Sequence, residues 1–127
     1  SVHRFIGGNG QPREFSETDP SEAVELEFNL TWAVLANPQV DILGHMFGMC
    51  FRRFIVTPPD DKICALISRA AEFDVAVEIN SYYHPNARKM IQWCQDFNAP
   101  ITFGSNAHTL ESVGAIMRLL DQEVGNV

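Results

Sequence analysis

An amphipathic helix that runs directly into a short apolar strand is the feature of this sequence that most constrains its fold. Within residues 60–73, the apolar positions at i, i+3, i+4 and i+7 are Ile63, Leu66, Ile67 and Ala70. This spacing predicts a helix with one buried face. The run VAVEIN at residues 75–80 predicts a buried strand whose last residues turn polar. A helix and a strand in immediate succession indicate one unit of a parallel α/β fold.

The same alternation recurs upstream and downstream of this unit. Further helices are expected at residues 21–36, from Pro85 onwards and from Thr109 to Gly125, and further strands at residues 1–3, 40–43 and 100–103. Strands that alternate with helices through short connections are typical of βαβ units and a parallel sheet. We therefore expect a single α/β domain over residues 1–127, built on a parallel sheet.

Charge and cysteine content narrow the classes of function. Nine Lys and Arg residues against 16 Asp and Glu residues give a formal net charge of −7, and the basic residues are scattered. A nucleic-acid or anionic-membrane partner is therefore not expected. No apolar run approaches the roughly 20 residues of a membrane span, and the three cysteines lack C-x-x-C spacing. We expect a cytoplasmic protein, with residues preceding Ser1 because the sequence does not begin with Met.

Each of the four histidines lies near the expected end of a strand: His3, His45, His84 and His108. The carboxyl ends of parallel strands meet at one face of the sheet, where side chains from separate strands can share metal ions. Imidazole nitrogens bind Zn, Fe and Mn well. A single loop histidine most often makes only one hydrogen bond, but the four together indicate a metal site.

Three segments, in this order and spacing, carry a family resemblance: DILGH at residues 41–45, VEIN at 77–80 and GSNAH at 104–108, which Thr109 follows. Together they resemble the C-terminal half of a PHP domain (polymerase and histidinol phosphatase family), and SVH at residues 1–3 resembles another of its ligand segments. The resemblance covers essentially the whole chain. It implies about half of a distorted (β/α)7 barrel whose Zn, Mn or Fe ions hydrolyse phosphate esters such as histidinol phosphate.

The resemblance also implies roles for individual residues of these segments. The implied metal ligands are His3, His45, Asn106 and His108. Of these, His45 and His108 are also the implied catalytic residues, because ions bound there would activate water and neutralise phosphoryl oxygens. Glu78 and Asn80 resemble residues that orient a ligand without binding the metal themselves. A general-base role for Glu78 stays open.

Two departures from the family pattern bear on activity. Asn106 stands where the family has an aspartate, and an amide oxygen lacks the negative charge that strengthens binding of a divalent ion. The family's N-terminal half, with its His-x-His pair, has no counterpart, since no H-x-H occurs in the sequence. Half a barrel leaves sheet edges open. We therefore expect a homo-oligomer, or a complementary chain, to cover the open barrel edge.

Several other side chains admit two interpretations each. Arg53, with Arg52 beside it, either grips a substrate phosphate or is solvated in a loop, and we favour Arg53 as a substrate-binding residue. His84 precedes Pro85 and either starts a helix or binds a metal ion, and we favour the helix start. Cys50 lies in an irregular segment, where its thiol is either reactive or buried in the core.

These observations favour one function and leave an alternative. The favoured function is a metal-dependent phosphoesterase that hydrolyses small phosphomonoesters and is weakened by Asn106 and the missing half. The alternative is a non-catalytic remnant that serves as a partner-binding or oligomerisation domain. A module attached to a polymerase is disfavoured by the acidic composition, and strongly salt-dependent DNA binding would revive it.

Overall fold

Helices and strands alternate in a computed structural model of the chain, which describes the backbone of residues 1–125 and the side chains of residues 1–122. The helices are α1 (Pro20–Leu35), α2 (Asp60–Glu72), α3 (Ala87–Asp96) and α4 (Ala115–Gly125), and the strands are β1 (Ile42–Leu43), β2 (Ala76–Asn80) and β3 (Ile101–Gly104). Single turns of 3₁₀-helix lie at Phe15–Glu17 and Leu110–Ser112, and a π-helical segment lies at Cys50–Phe54. The expected α/β alternation is confirmed from α1 onwards.

The three strands form one parallel sheet in the order β1-β2-β3. β2 is the central strand, because Val77 pairs with Leu43 on one side and Asn80 pairs with Gly104 on the other. The side chains of Val77 and Ile79 are fully buried, as the apolar run predicts. The carboxyl ends of the strands lie along one edge of the sheet, which is where a parallel α/β fold places its chemistry.

Helix α2 supplies much of the core. It begins after Pro59, and Asp60 and Asp61 place negative charge at the positive end of the helix dipole. The face predicted from the apolar spacing is buried: Ile63, Leu66, Ile67 and Ala70. Burying a Leu or Ile side chain contributes about 1.5 to 3 kcal/mol, so this face holds α2 against α1 and β2. Within residues 1–125, none of the helices is long and apolar enough to cross a lipid bilayer.

The expected strand at residues 1–3 does not form. The chain instead turns back after its first residues, so that Ile6 makes an isolated antiparallel bridge with Pro12. Gly10 lies in this turn at φ +76°, a conformation that glycine adopts without steric cost. In the part of the chain that the structure describes, the sheet therefore has three strands where the sequence predicts four.

The last helix starts later than the sequence predicts. Thr109 begins a single 3₁₀ turn, and Gly114 follows that turn at φ +72°. The left-handed backbone of Gly114 separates the turn from α4, whose first turn is capped by Ser105 Oγ on the amide of Ile116 at 3.1 Å. The prediction of a continuous helix from Thr109 is wrong at this first turn.

Both outer edges of the sheet are open within residues 1–125. On β1, the side chain of Ile42 is 53% exposed, and on β3 that of Phe103 is 46% exposed. No strand of the described residues pairs with either outer edge. Open edges of this kind present unpaired N–H and C=O groups that can pair with another chain.

Candidate functional site

A cleft of about 350 Å³ opens beside the carboxyl ends of β1 and β2. Two histidines and three arginines line it: His3, His45, Arg4, Arg52 and Arg53. Its remaining walls include the aromatic rings of Phe15, Tyr82 and Tyr83. In a chain of net charge −7, this concentration of cationic side chains makes the cleft a local site for an anion.

His45 is held tightly at the floor of the cleft. Its imidazole stacks on Tyr83 with ring centroids 4.1 Å apart, and the His3 ring meets it edge-on at 4.9 Å. Gly48 makes room for this ring, because a Cβ there would lie 2.6 Å from His45 Nδ1. Burial, and then the neighbouring His3, lower the pKa of His45, so that its ring is neutral at pH 7 and keeps a lone pair.

Aromatic rings hold the three arginines in place. The guanidinium groups of Arg4 and Arg53 both lie over the Phe15 ring, at 4.6 and 5.2 Å from its centroid. Arg52 lies over the Tyr82 ring at 4.1 Å and donates from Nε to the Tyr82 carbonyl. Cation–π contacts fix a guanidinium without neutralising it. The positive charge of these arginines therefore stays available for a phosphate group.

Behind His45, polar groups from the end of β2 support its backbone. Glu78 Oε2 accepts a hydrogen bond from the His45 amide at 2.7 Å, and Asn80 Nδ2 donates to Glu78 Oε1 at 3.1 Å. Gly104 of β3 leaves the space that the Glu78 carboxylate occupies, since a Cβ there would lie 1.9 Å from Oε1. Glu78 and Asn80 therefore hold the backbone of His45, and the role expected of them in orienting a metal ligand stays a prediction.

The structure brings together only part of the predicted ligand set. His3 and His45 are in contact, whereas Asn106 and His108 lie in the loop after β3 and do not line the cleft. Asn106 is half-buried at φ +49°, a left-handed conformation that asparagine tolerates, and His108 is exposed. Within the described part of the chain, no group of three His, Cys, Asp or Glu side chains is placed to hold a metal ion.

The structure corrects the expectation for His84 and decides between the two interpretations of Cys50. His84 does not start a helix, because α3 begins at Ala87 with Asn86 as its N-cap, and the His84 side chain is buried. The thiol of Cys50 is fully buried, and burial beside Glu27 raises its pKa. A thiol in such surroundings is inert at neutral pH.

Among the lining residues that the sequence did not indicate are Arg4, Phe15, Tyr82 and Tyr83. Tyr82 and Tyr83 directly follow the polar end of β2, and Arg4 directly follows His3, so their proximity to expected ligands was a usable signal. Phe15 gives no such signal. It lies in a loop of the sequence and reaches the cleft only because the turn at Gly10 folds the N-terminal segment back.

Burial of the neutral His84 ring predicts a loss of stability in acid. Its Nδ1 accepts from the Asn80 amide and its Nε2 bonds to the Met46 carbonyl, and burial lowers the pKa of His84 from 6.5 to about 4. The unfolded chain binds a proton at His84 more readily than the folded chain does. The contribution of His84 to the free energy of unfolding is therefore full above pH 6.5 and is lost as the pH falls towards 4. Urea unfolding should show a loss on the order of 3 kcal/mol from this group.

The variant His84→Gln isolates this contribution, because glutamine does not titrate. We expect the curve of unfolding free energy against pH to be flatter in His84→Gln than in the parent chain over this interval. The exposed His108 provides the matched control, and His108→Gln should leave the slope unchanged. Equal slopes in the parent chain and His84→Gln would contradict the prediction.

In comparisons with known proteins, no protein-family model, no curated protein and no solved structure matches the chain.

Proposed function

We propose that this chain carries the phosphate-binding part and half of the metal-binding part of a PHP-type phosphoesterase, acting on small phosphomonoesters. The observation that carries the proposal is the meeting of His3 and His45 with three arginines in one cleft. Phosphate recognition needs charge and directed donors, which guanidinium groups supply. Metal-assisted hydrolysis needs neutral imidazoles beside them, because a protonated ring cannot bind an ion.

The donor chemistry of the histidine pair fits a transition-metal ion. Neutral imidazole nitrogens are good ligands for such ions, and the rings of His3 and His45 lie next to each other, edge to face, with centroids 4.9 Å apart. Nδ1 of His45 is also buried without a hydrogen-bond partner, so a bound ion would relieve an unsatisfied polar atom at the same ring. His3 and His45 are the residues that would hold Zn, Mn or Fe here.

The chain's own residues supply the binding half of the reaction. Arg4, Arg52 and Arg53 neutralise phosphoryl oxygens as charge builds on them, and the rigid aromatic contacts keep the three donors in position. His45 stays neutral and fixed against Tyr83. A divalent ion, when bound, supplies Lewis-acid activation of water and further positive charge.

Two histidines do not complete a metal site, so the remaining metal ligands must come from elsewhere. The open edges of the sheet offer a place where another chain could bind. Among the described residues, the outer strands β1 and β3 both have open outer edges with exposed apolar side chains. We propose that a second copy of this chain, or a complementary chain, covers these edges and completes the metal site. Asn106 and His108 would join the site from the end of β3 in that assembly.

The test measures metal and turnover on one sample. Elemental mass spectrometry of the purified chain should find about one ion or more per chain, or uptake when Zn or Mn is added. Histidinol phosphate hydrolysis should then be detectable, and Asn106→Asp should raise it by restoring a charged ligand. Metal that stays absent, with no turnover after metal addition or in Asn106→Asp, would overturn the catalytic proposal.

Binding of inorganic phosphate tests the role of the arginines, and together with metal content and turnover it separates the favoured function from the alternative. Arg53→Met should weaken phosphate binding about tenfold or more, because it removes a charge-assisted donor from the cleft. Arg13 provides the matched control, since it pairs with Glu22 and does not line the cleft. Phosphate binding without metal or turnover would favour a non-catalytic binding or oligomerisation domain, which the separation of His108 from His3 and His45 supports.

A further inference from the structure

The backbone at His45 has a conformation that it would not adopt by itself. His45 lies at φ +28° and Phe47 at φ +57°, both in the left-handed region that side chains with a Cβ disfavour. Such a conformation persists only where surrounding contacts impose it. The contacts that impose it here therefore determine where the imidazole points.

We propose that Asn80 is the positioning residue of this site: it aligns the two side chains that hold the backbone at His45 and Met46 and thereby sets the orientation of the His45 ring. The consequence for binding rests on the proposed function, but the orientation itself does not. Asn80 is only 2% exposed, and both its side chain and its backbone take part.

The clamp holds the loop after β1 at two backbone groups, the N–H of His45 and the C=O of Met46. Glu78 Oε2 accepts from the His45 amide at 2.7 Å, and His84 Nε2 lies 2.9 Å from the carbonyl oxygen of Met46. One contact needs an acceptor, and the other needs a donor. Glu78 must therefore point a carboxylate oxygen at the His45 amide, and His84 must point a protonated nitrogen at the Met46 carbonyl.

Asn80 fixes each of these choices. Its Nδ2 donates to Glu78 Oε1 at 3.1 Å and so turns Oε2 towards the His45 amide. Its backbone N–H donates to His84 Nδ1 at 3.0 Å. Because that amide can only donate, Nδ1 must be the unprotonated nitrogen, and the proton of the neutral ring lies on Nε2, where it is donated to Met46.

A third hydrogen bond of Asn80 positions the segment that forms one wall of the cleft. Asn80 Oδ1 accepts from the amide of Tyr82 at 3.0 Å, which fixes the start of the segment that carries both tyrosines. Tyr83 stacks on the His45 ring and Tyr82 on the Arg52 guanidinium. One buried side chain thus ties the ring of His45 to the surface on which it rests.

The experiment exchanges donor and acceptor between two neighbours. Asn80→Asp keeps the acceptor for Tyr82 but replaces the donor to Glu78 with a second carboxylate, which repels it. Adding Glu78→Gln restores the pair in reverse: the glutamine donates to the aspartate and still accepts from His45. The exposed Asn29 of α1 provides the matched control, as Asn29→Asp makes the same chemical change outside the network.

The readout is the position of the His45 ring in the protein free of metal and phosphate. Its ring protons, assigned with His45→Gln, should be displaced in ¹H–¹³C NMR spectra by the ring current of Tyr83. We expect that displacement to be largely lost in Asn80→Asp, to return in the double variant and to persist in Asn29→Asp. Inorganic phosphate binding should weaken about tenfold in Asn80→Asp and recover with the ring position.

Every outcome of this experiment decides the proposal. An unchanged His45 displacement in folded Asn80→Asp would overturn it. If Asn80→Asp does not fold, the double variant decides: a folded chain with native His45 resonances supports the proposal, and a displaced ring or an unfolded chain refutes it. The His45 displacement could be lost in Asn80→Asp and return in the double variant while neither the parent chain nor any variant binds phosphate. That result would refute the proposed function and leave the role of Asn80 intact.

Discussion

Replacing Gly104 with alanine is expected to cost about 3 to 5 kcal/mol of folding free energy, because it combines overpacking with the loss of a buried hydrogen-bond network. The added Cβ would lie 1.9 Å from Glu78 Oε1 and 2.9 Å from Asn80 Nδ2. Neither group can move away freely, since Glu78 is bonded to the His45 amide and Asn80 to the Tyr82 amide. Urea unfolding monitored by circular dichroism measures the loss.

A matched substitution shows that the cost arises at this contact. Gly8 has no heavy atom within 4 Å of an added Cβ, so Gly8→Ala should change the free energy of unfolding by less than about 0.5 kcal/mol. The displaced carboxylate should also release the His45 amide, so Gly104→Ala should weaken phosphate binding in any protein that stays folded. Wild-type stability and binding in Gly104→Ala would show that the network is not rigid.

Periodicity predicted the parts of the fold that are decided by local burial. The buried face of α2 and the strand β2 were both predicted correctly, because helices and strands each bury side chains at a characteristic spacing. The break before α4 was missed, since it depends on the left-handed backbone of Gly114. The absent first strand was missed because the turn at Gly10 returns the N-terminal segment towards the cleft.

The candidate site was predictable only as a set of strand ends. His45, Glu78 and Asn80 were placed correctly at the ends of β1 and β2, because alternation predicts where strands stop. The clamp that joins them was not predictable, since it depends on a tautomer of His84 and on the Gly104 backbone in a different strand. Contacts between separate strands are set by register, which a single sequence does not give.

Glu27 is a buried carboxylate that sequence patterns miss, since it occupies a position within α1 where an apolar residue would be expected. It is 1% exposed and accepts from the amides of Cys50 at 2.9 Å and Met49 at 3.3 Å, at the start of the π-helical segment. These amides begin a helical segment and have no partner within it. Glu27 therefore joins α1 to the segment that carries Arg52 and Arg53 into the cleft.

The variant Glu27→Ala should cost about 3 to 5 kcal/mol, because it leaves two buried amides unpaired and a cavity between α1 and the π-helical segment. Glu27→Gln should cost less, since its amide oxygen still accepts from one of them. The exposed Glu25 of the same helix, paired with Lys62, is the control, and Glu25→Ala should cost less than about 1 kcal/mol.

The stability lost in Glu27→Ala should also depend on pH and should be greater in acid. Burial raises the pKa of Glu27 above its ordinary value of 4.5. The contribution of Glu27 to the free energy of unfolding is therefore full below pH 4.5 and declines as the pH rises through the pKa of the folded state. The alanine variant should consequently lose more stability in acid than at pH 8. The opposite trend would mean that the two backbone amides outweigh burial and keep the carboxylate charged in the folded chain.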